Sequence, residues 1–141
     1  MAACLARSDV WCLVAEREGA VVAHVATLPA NAARRYVDDP LLAHLWQLFV
    51  RPALHGSGLA TELLRHAEHE SWRRGFRSVR LFTPVGQARA RRFYEREGFT
   101  VRGEPFLSDF GLALVEYRRD LERPTPPPPP LSAPRRSAST R

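Results

Sequence analysis

The sequence predicts an α/β domain (α+β in its mixture of elements) built on a central strand–helix–strand unit. A β-hairpin precedes this unit and further strands follow it. Three observations carry the prediction. Residues 10–17 and 21–28 are apolar runs separated by Glu18-Gly19-Ala20, which is a hairpin signal. Leu45 to Val50 is a near-continuous apolar run, as suits a central strand buried on both faces. Leu59, Ala60, Leu63, Leu64 and Ala67 then recur at helical spacing, and a strand with Val79, Leu81 and Phe82 follows over 78–85. A connection of this length makes the two strands parallel and the crossover right-handed.

The elements follow in order. Cys12 lies in the first apolar strand and reads as a buried thiol; Cys4 is near the terminus, and the pair has no metal or redox spacing. Pro29 to Pro40 is polar, with Arg34, Arg35, Asp38 and Asp39, and reads as a loop or short helix. Pro52 ends the central strand because it has no N–H for a ladder. Glu62 falls in the first turn of the helix, and Gly75 follows its last turn as a C′ residue. Gln87 to Glu97 reads as a second helix, with Ala90, Phe93 and Tyr94 on one face and Gly98 at its C′ end. Phe99-Thr100-Val101 begins a strand, and Leu112 to Tyr117 is the last one. Residues 1–123 form one domain. Residues 124–141 hold the proline run Pro126 to Pro130 and a small, basic remainder, which cannot pack a core and reads as a disordered tail.

Composition bounds the function. The chain has 141 residues and 45% hydrophobic content, enough for one real core. All 21 basic residues are arginine, and lysine and isoleucine are absent. Codon bias therefore explains part of the net charge of +6, and Arg135, Arg136 and Arg141 of the tail supply half of it. Nucleic acid is accordingly not expected as a partner; an acidic ligand explains a basic pocket equally well. No charged and apolar leader opens the chain, and no run reaches the ~18–20 apolar residues of a membrane span. A soluble, cytoplasmic protein without a membrane partner is expected. Glu62, His66, His69 and Glu70 share helical spacing, but an exposed helix face accounts for them and no metal is expected.

The strand, the glycines at 56 and 58 and the helix that follows make an anion-binding device. Glycine backbones approach a ligand closely, and the first N–H groups of a helix lack internal partners. A Walker A loop needs a lysine, which the chain does not have. The dinucleotide fingerprint wants Gly or Ala where Thr61 stands.

The segment Val50-Arg51-Pro52 followed by His55-Gly56-Ser57-Gly58-Leu59-Ala60 resembles the acetyl-CoA motif of the GNAT superfamily of N-acetyltransferases, which reads Gln or Arg, two residues, Gly, one residue, Gly or Ala. Gly58 and Ala60 match, and His55 stands where Gln or Arg is usual. The segment Ala90-Arg91-Arg92-Phe93-Tyr94-Glu95-Arg96-Glu97-Gly98-Phe99 resembles the family's later helix, whose tyrosine is a general acid; Tyr94 takes that place. Gln87 stands where an asparagine often touches the coenzyme. Both motifs occur in family order, and the resemblance covers about residues 10–121.

The resemblance implies a mixed, largely antiparallel sheet with flanking helices. It implies acetyl-CoA as cosubstrate, in a gap between the central strand and strand 78–85, held by Leu48, Phe49, Val50, His55, Gly56, Ser57, Gly58, Leu59, Ala60 and Gln87. An N–H near Val50 would polarise the thioester carbonyl, an amine of a small molecule or peptide would attack directly, and Tyr94 would protonate the sulfur. Some family members carry a glutamate base six residues before the valine. Here His44 holds that position and is the candidate base; Asp38 and Asp39 are alternatives that would attract a cationic acceptor. The family also begins with a strand and one or two helices that shape the acceptor pocket, whereas only nine residues precede the first hairpin here. A shortened member, a missing start, or a site and sheet edge completed by a second copy as a homodimer all fit. Two function classes stay open: an N-acetyltransferase, and a catalytically silent acetyl-CoA-binding or interaction module. The acceptor is not named by the sequence.

Overall fold

The computed structural model describes residues 9–123 and the backbone of 135–139. Strands β1 (Trp11–Arg17) and β2 (Ala20–Pro29) form the hairpin, turning through Glu18 and Gly19, both at positive φ. The segment after β2 makes a 3-10 turn at Ala30–Ala32 and a loop, then β3 runs over Leu42–Val50. A second 3-10 turn at Pro52–Leu54 leads to helix α1 (Leu59–Arg73). Strand β4 (Ser78–Pro84), helix α2 (Ala88–Arg96), β5 (Thr100–Val101), β6 (Phe106–Leu107) and β7 (Ala113–Asp120) follow, and β8 spans Arg135–Ser139.

The eight strands form one sheet in the order β5-β7-β4-β3-β2-β1-β8, with β6 paired to β7. β3 and β4 run parallel, as the crossover through α1 requires, and the other pairs are antiparallel. This is the expected mixed, largely antiparallel sheet around a βαβ unit. Both helices pack on one face. Leu59, Leu63, Leu64 and Ala67 of α1, with Phe93 and Tyr94 of α2, meet Leu13, Ala15, Val25, Ala43, Leu45, Val79, Leu81, Val115 and Tyr117 of the strands. The other face holds a smaller cluster of Val10, Cys12, Ala26 and Leu28.

Three expectations change. β3 begins at Leu42, three residues earlier than the apolar run suggests, so His44 lies within it. Cys12 is buried as expected but is disulfide-bonded rather than a free thiol. The tail is not disordered throughout: residues 135–139 form β8, antiparallel on the outer edge of β1, because an open strand edge offers unpaired N–H and C=O groups that a segment of any side-chain pattern can satisfy. Cys4 and residues 124–134 lie outside the described residues.

One irregularity positions the site. Ala26 pairs with Gln47 but the next residue, Thr27, pairs with Leu45, so Trp46 is an extra residue, a β-bulge, in β3. At the same point β3 leaves β4: their pairing runs from Leu42–Ser78 to Leu45–Leu81 and stops. Beyond it β3 stays with β2 as far as Val50, and β4 stays with β7 as far as Pro84. The two central strands part like the arms of a V.

Candidate active site

Two adjoining cavities occupy the V. The first, about 580 Å³, is lined by Leu48 and Val50 of β3, the loop and first turn at Leu54, His55, Gly56, Gly58, Leu59, Ala60 and Thr61, and, from the opposite wall, Gln87, Arg89, Ala90, Arg92, Phe93, Tyr94 and Arg96. The second, about 480 Å³, lies between Leu45–Phe49 and Leu81–Pro84, with His24, Gln87, Ala90 and Tyr94 also in its lining. Leu48, Gln87, Ala90 and Tyr94 belong to both.

The floor of the first cavity is main chain. The Arg51 N–H donates to Val22 O at 2.8 Å, so Arg51 faces β2. Alternation along a strand turns Phe49 the same way and turns the main-chain groups of Leu48 and Val50 into the gap that β4 has left. The loop beyond owes its shape to two glycines: Gly56 and Gly58 have φ of 84° and 88°, a region open to glycine at little cost. Gly58 caps α1, whose first N–H groups and positive dipole end open onto the cavity wall. Ser57 points elsewhere: its hydroxyl accepts from the Leu59 N–H at 3.4 Å, and it does not line the cavity. His55 lines the cavity, but its Nε2 is 3.0 Å from Val50 O, which fixes that nitrogen as a donor to the strand rather than to a ligand.

The opposite wall holds three residues that the sequence reading passed over. Arg89, Arg92 and Arg96 recur at helical spacing along α2 and line the first cavity. That spacing was the available signal; in a chain rich in arginine it did not stand out.

Two tyrosines sit close together, with ring centroids 6.3 Å apart, and their surroundings separate them. The Tyr117 hydroxyl donates to Glu95 Oε2 at 2.6 Å and accepts from Arg91 Nε at 3.0 Å, and the residue is fully buried. Tyr94 packs edge-on against Phe93 and Phe99 and lines both cavities where they meet. Burial pushes its phenol up to about 12, so it keeps its proton at neutral pH. Gln87 stands at the start of α2, between the cavities, and accepts the Arg91 N–H on its carbonyl at 3.0 Å.

Phe49 and His44 are placed differently from the expectation. The Phe49 ring lines only the second cavity and stacks on His24 at 5.6 Å. His44 lines neither cavity. It is buried on the other face of the sheet, where its Nδ1 accepts from Arg80 Nε at 3.1 Å and its ring packs on Phe82. Burial, then the Arg80 charge, presses its imidazole down to about 3. Asp38 and Asp39 line neither cavity, and an Asp39 carboxylate oxygen accepts the Leu41 N–H at 2.9 Å. Among the described residues there is no cluster of His, Cys, Asp and Glu fit to hold a metal ion. Among them, too, no helix is long and apolar enough to cross a membrane.

The profile of the acetyltransferase (GNAT) family matches residues 2–99. The chain belongs to the GNAT acetyltransferase family. A comparison with curated proteins finds no match. Solved structures share the GNAT fold. A putative GNAT acetyltransferase from Desulfovibrio desulfuricans is 23% identical, with a TM-score of 0.66 over 79% of this chain and 69% of that one. The ribosomal-protein-alanine N-acetyltransferase of Brucella melitensis is 24% identical, with a TM-score of 0.64 over 78% of this chain and 68% of that one. YncA, a putative acetyltransferase from Salmonella typhimurium solved with acetyl-CoA, is 24% identical, with a TM-score of 0.64 over 82% of this chain and 67% of that one. For a GNAT member, the V between β3 and β4, the glycine loop and the tyrosine at the cavity junction form a coherent candidate site.

Proposed function

We propose that the chain transfers the acetyl group of acetyl-CoA to an amine by direct attack. The observation that carries this reading is the junction of the two cavities, where the free edge of β3 and the Tyr94 phenol line one space. Acetyl-CoA, when bound, supplies the activated acetyl thioester.

The residues present fit that group. The N–H groups of the Gly56–Ala60 turn suit a pyrophosphate at a helix N-terminus. Arg89, Arg92 and Arg96 give the facing wall a positive charge that draws phosphate, and their guanidinium groups can bind it bidentately. The main chain of Leu48 and Val50 accepts an extended amide-bearing arm as an added strand. The Val50 N–H, turned into the gap, donates to the thioester oxygen as negative charge develops there. The amine nitrogen forms the new C–N bond as the C–S bond breaks, and the Tyr94 hydroxyl gives its proton to the leaving sulfur. The proton that the amine nitrogen loses returns through solvent to the Tyr94 phenolate, so the phenol is restored and the products are an amide and a free thiol. His44 serves this reading as a structural group, since Arg80 occupies its Nδ1. Gln87, with donor and acceptor both at the junction, orients the arm.

The test is calorimetric titration with acetyl-CoA, run beside Gly58→Asp, followed by thiol release with a panel of amines. Binding lost in the variant, with transfer in the native chain, supports the reading. Binding without transfer to any amine favours a silent acetyl-CoA-binding module, and no binding by the folded protein overturns both.

A further inference from the structure

The first cavity carries more positive charge than a single pyrophosphate needs, an observation whose meaning rests on the acetyl-CoA reading. Arg89, Arg92 and Arg96 line it, and no carboxylate does. All three are exposed, on the outer flank of α2, whereas Ala90, Phe93 and Tyr94 of the same helix are half-buried. The turn at Gly56–Ala60 can hold a pyrophosphate on main-chain N–H groups without a cation.

These three arginines differ from those around them. Arg73 and Arg74 share Glu70, Arg118 takes Glu116, Arg119 takes Glu68, and Arg65 reaches Glu97. Arg91 is engaged inside the fold by Tyr117 Oη and Val85 O. Among the described residues, Arg89, Arg92 and Arg96 make no ion pair and no side-chain hydrogen bond. The acids of their own helix are taken: Glu95 accepts from Tyr117 at 2.6 Å and Glu97 from Thr61 at 3.0 Å. Like charges three and four residues apart on a helix repel, so the stripe costs the free protein stability that an anionic ligand restores.

The Thr61–Glu97 hydrogen bond stands the C-terminal end of α2 against the first turn of α1. Arg96 borders Glu97, and Arg92 lies one turn behind it. These two are therefore beside the end of the cavity where the glycine turn opens, while Arg89 is two turns back towards Gln87. The Arg96 guanidinium lies 5.6 Å from the Phe93 ring, which lines the same cavity. The facing side offers no rival cation: His55 Nε2 is held by Val50 O, and the Arg51 guanidinium by Val21 O.

We infer that Arg92 and Arg96 form a second phosphate site, which takes the 3′-phosphate of the coenzyme A nucleotide. That phosphate is a monoester with a charge of about −1.5 to −2 at neutral pH and three acceptor oxygens. Two planar guanidinium groups one helical turn apart suit it. The chain therefore distinguishes coenzyme A from the same molecule without its 3′-phosphate.

The experiment is calorimetric titration of the native chain with coenzyme A and with 3′-dephospho-coenzyme A, at low and high salt. Coenzyme A should bind at least about tenfold more tightly at low salt, with a narrower gap at high salt. Arg92→Gln combined with Arg96→Gln should bring the two affinities within about twofold, chiefly by weakening coenzyme A. Arg73→Gln removes an exposed cation at the last residue of α1, outside the cavity, and should leave the ratio unchanged. Far-UV circular dichroism checks the fold of both variants, and the comparison of ligands on the native chain needs neither. Equal affinity of the native chain for the two ligands, or a ratio preserved in the folded double variant, overturns the proposal and leaves the transfer reading standing. No binding of either ligand by the folded native chain overturns the transfer reading and this proposal with it.

Discussion

Arg80 Nε donates to His44 Nδ1 at 3.1 Å within the sheet, and the same guanidinium reaches Arg35 O at 2.8 Å and Arg34 O at 3.3 Å. Arg80 is 1% exposed, so this cation is held by an imidazole, two carbonyls and the Phe82 ring. It ties the loop between β2 and β3 to the middle of the sheet. The imidazole must stay neutral to accept, which makes the pair a source of acid sensitivity.

The sign follows from His44. Its pKa falls from an ordinary 6.5 to about 3 on folding, so the unfolded chain binds the proton first. Its contribution is full above pH ~6.5 and is lost as pH falls towards 3. His44→Asn keeps an acceptor for Arg80 without a titrating ring. Thermal melts by circular dichroism between pH 7 and 4 should show a smaller loss of Tm in this variant than in the native chain.

Arg80→Met should destabilise the fold by roughly 2–4 kcal/mol, because it leaves the His44 nitrogen and two loop carbonyls without their donor. Urea unfolding measures this. Acetyl-CoA affinity should change little in the folded fraction, since Arg80 lines neither cavity.

Tyr94→Phe should cut turnover by about 10²-fold and leave acetyl-CoA affinity within roughly twofold. Tyr117→Phe should do the reverse, costing stability through its lost bonds to Glu95 and Arg91 while sparing kcat. Since burial raises Tyr94 to about 12, no basic limb from its ionisation should appear in the kcat profile below pH ~11. For stability the sign is the opposite of that for His44: the contribution is complete below pH ~10 and falls as pH rises towards 12.

Gly58→Ala separates backbone from space. A Cβ there would meet nothing within 4 Å, yet φ is +88°. The expected cost is therefore conformational, about 1–2 kcal/mol in denaturant titrations, accompanied by weaker acetyl-CoA binding as the turn relaxes.

Arg89→Ala combined with Arg92→Ala should weaken acetyl-CoA binding and flatten its dependence on salt, because two of the three cations on that wall are gone. Calorimetry at low and high salt reads both effects.

The sequence was a good guide where periodicity and packing agree. Leu59, Leu63, Leu64 and Ala67 announce α1 because one stripe must meet the sheet, and all four are buried there. The alternation of Val115 and Tyr117 did the same for β7. Parity misled at His44. Six residues before Val50 is an even step, which in a regular strand shares a face. The extra residue at Trp46 flips the count: Ala43 and Leu45 join Leu48 and Val50 on the helix side, and His44 turns to the other. No local pattern marks such a bulge. β6 is two residues long and exists through its pairing with β7.

The pairing of β8 with β1 joins Cys12–Glu16 to Arg135–Ser139, the first of the described strands to the last. On the ribosome the hairpin, the βαβ unit and both cavities can assemble while the outer edge of β1 is still bare. Pairing across that sequence distance is slow to form, and an exposed edge invites foreign strands meanwhile. The vulnerable interval in the making of this domain is thus the one between β1 and β8: both cavities can already be formed, and the edge of β1 stays open to a neighbouring nascent chain until β8 closes it.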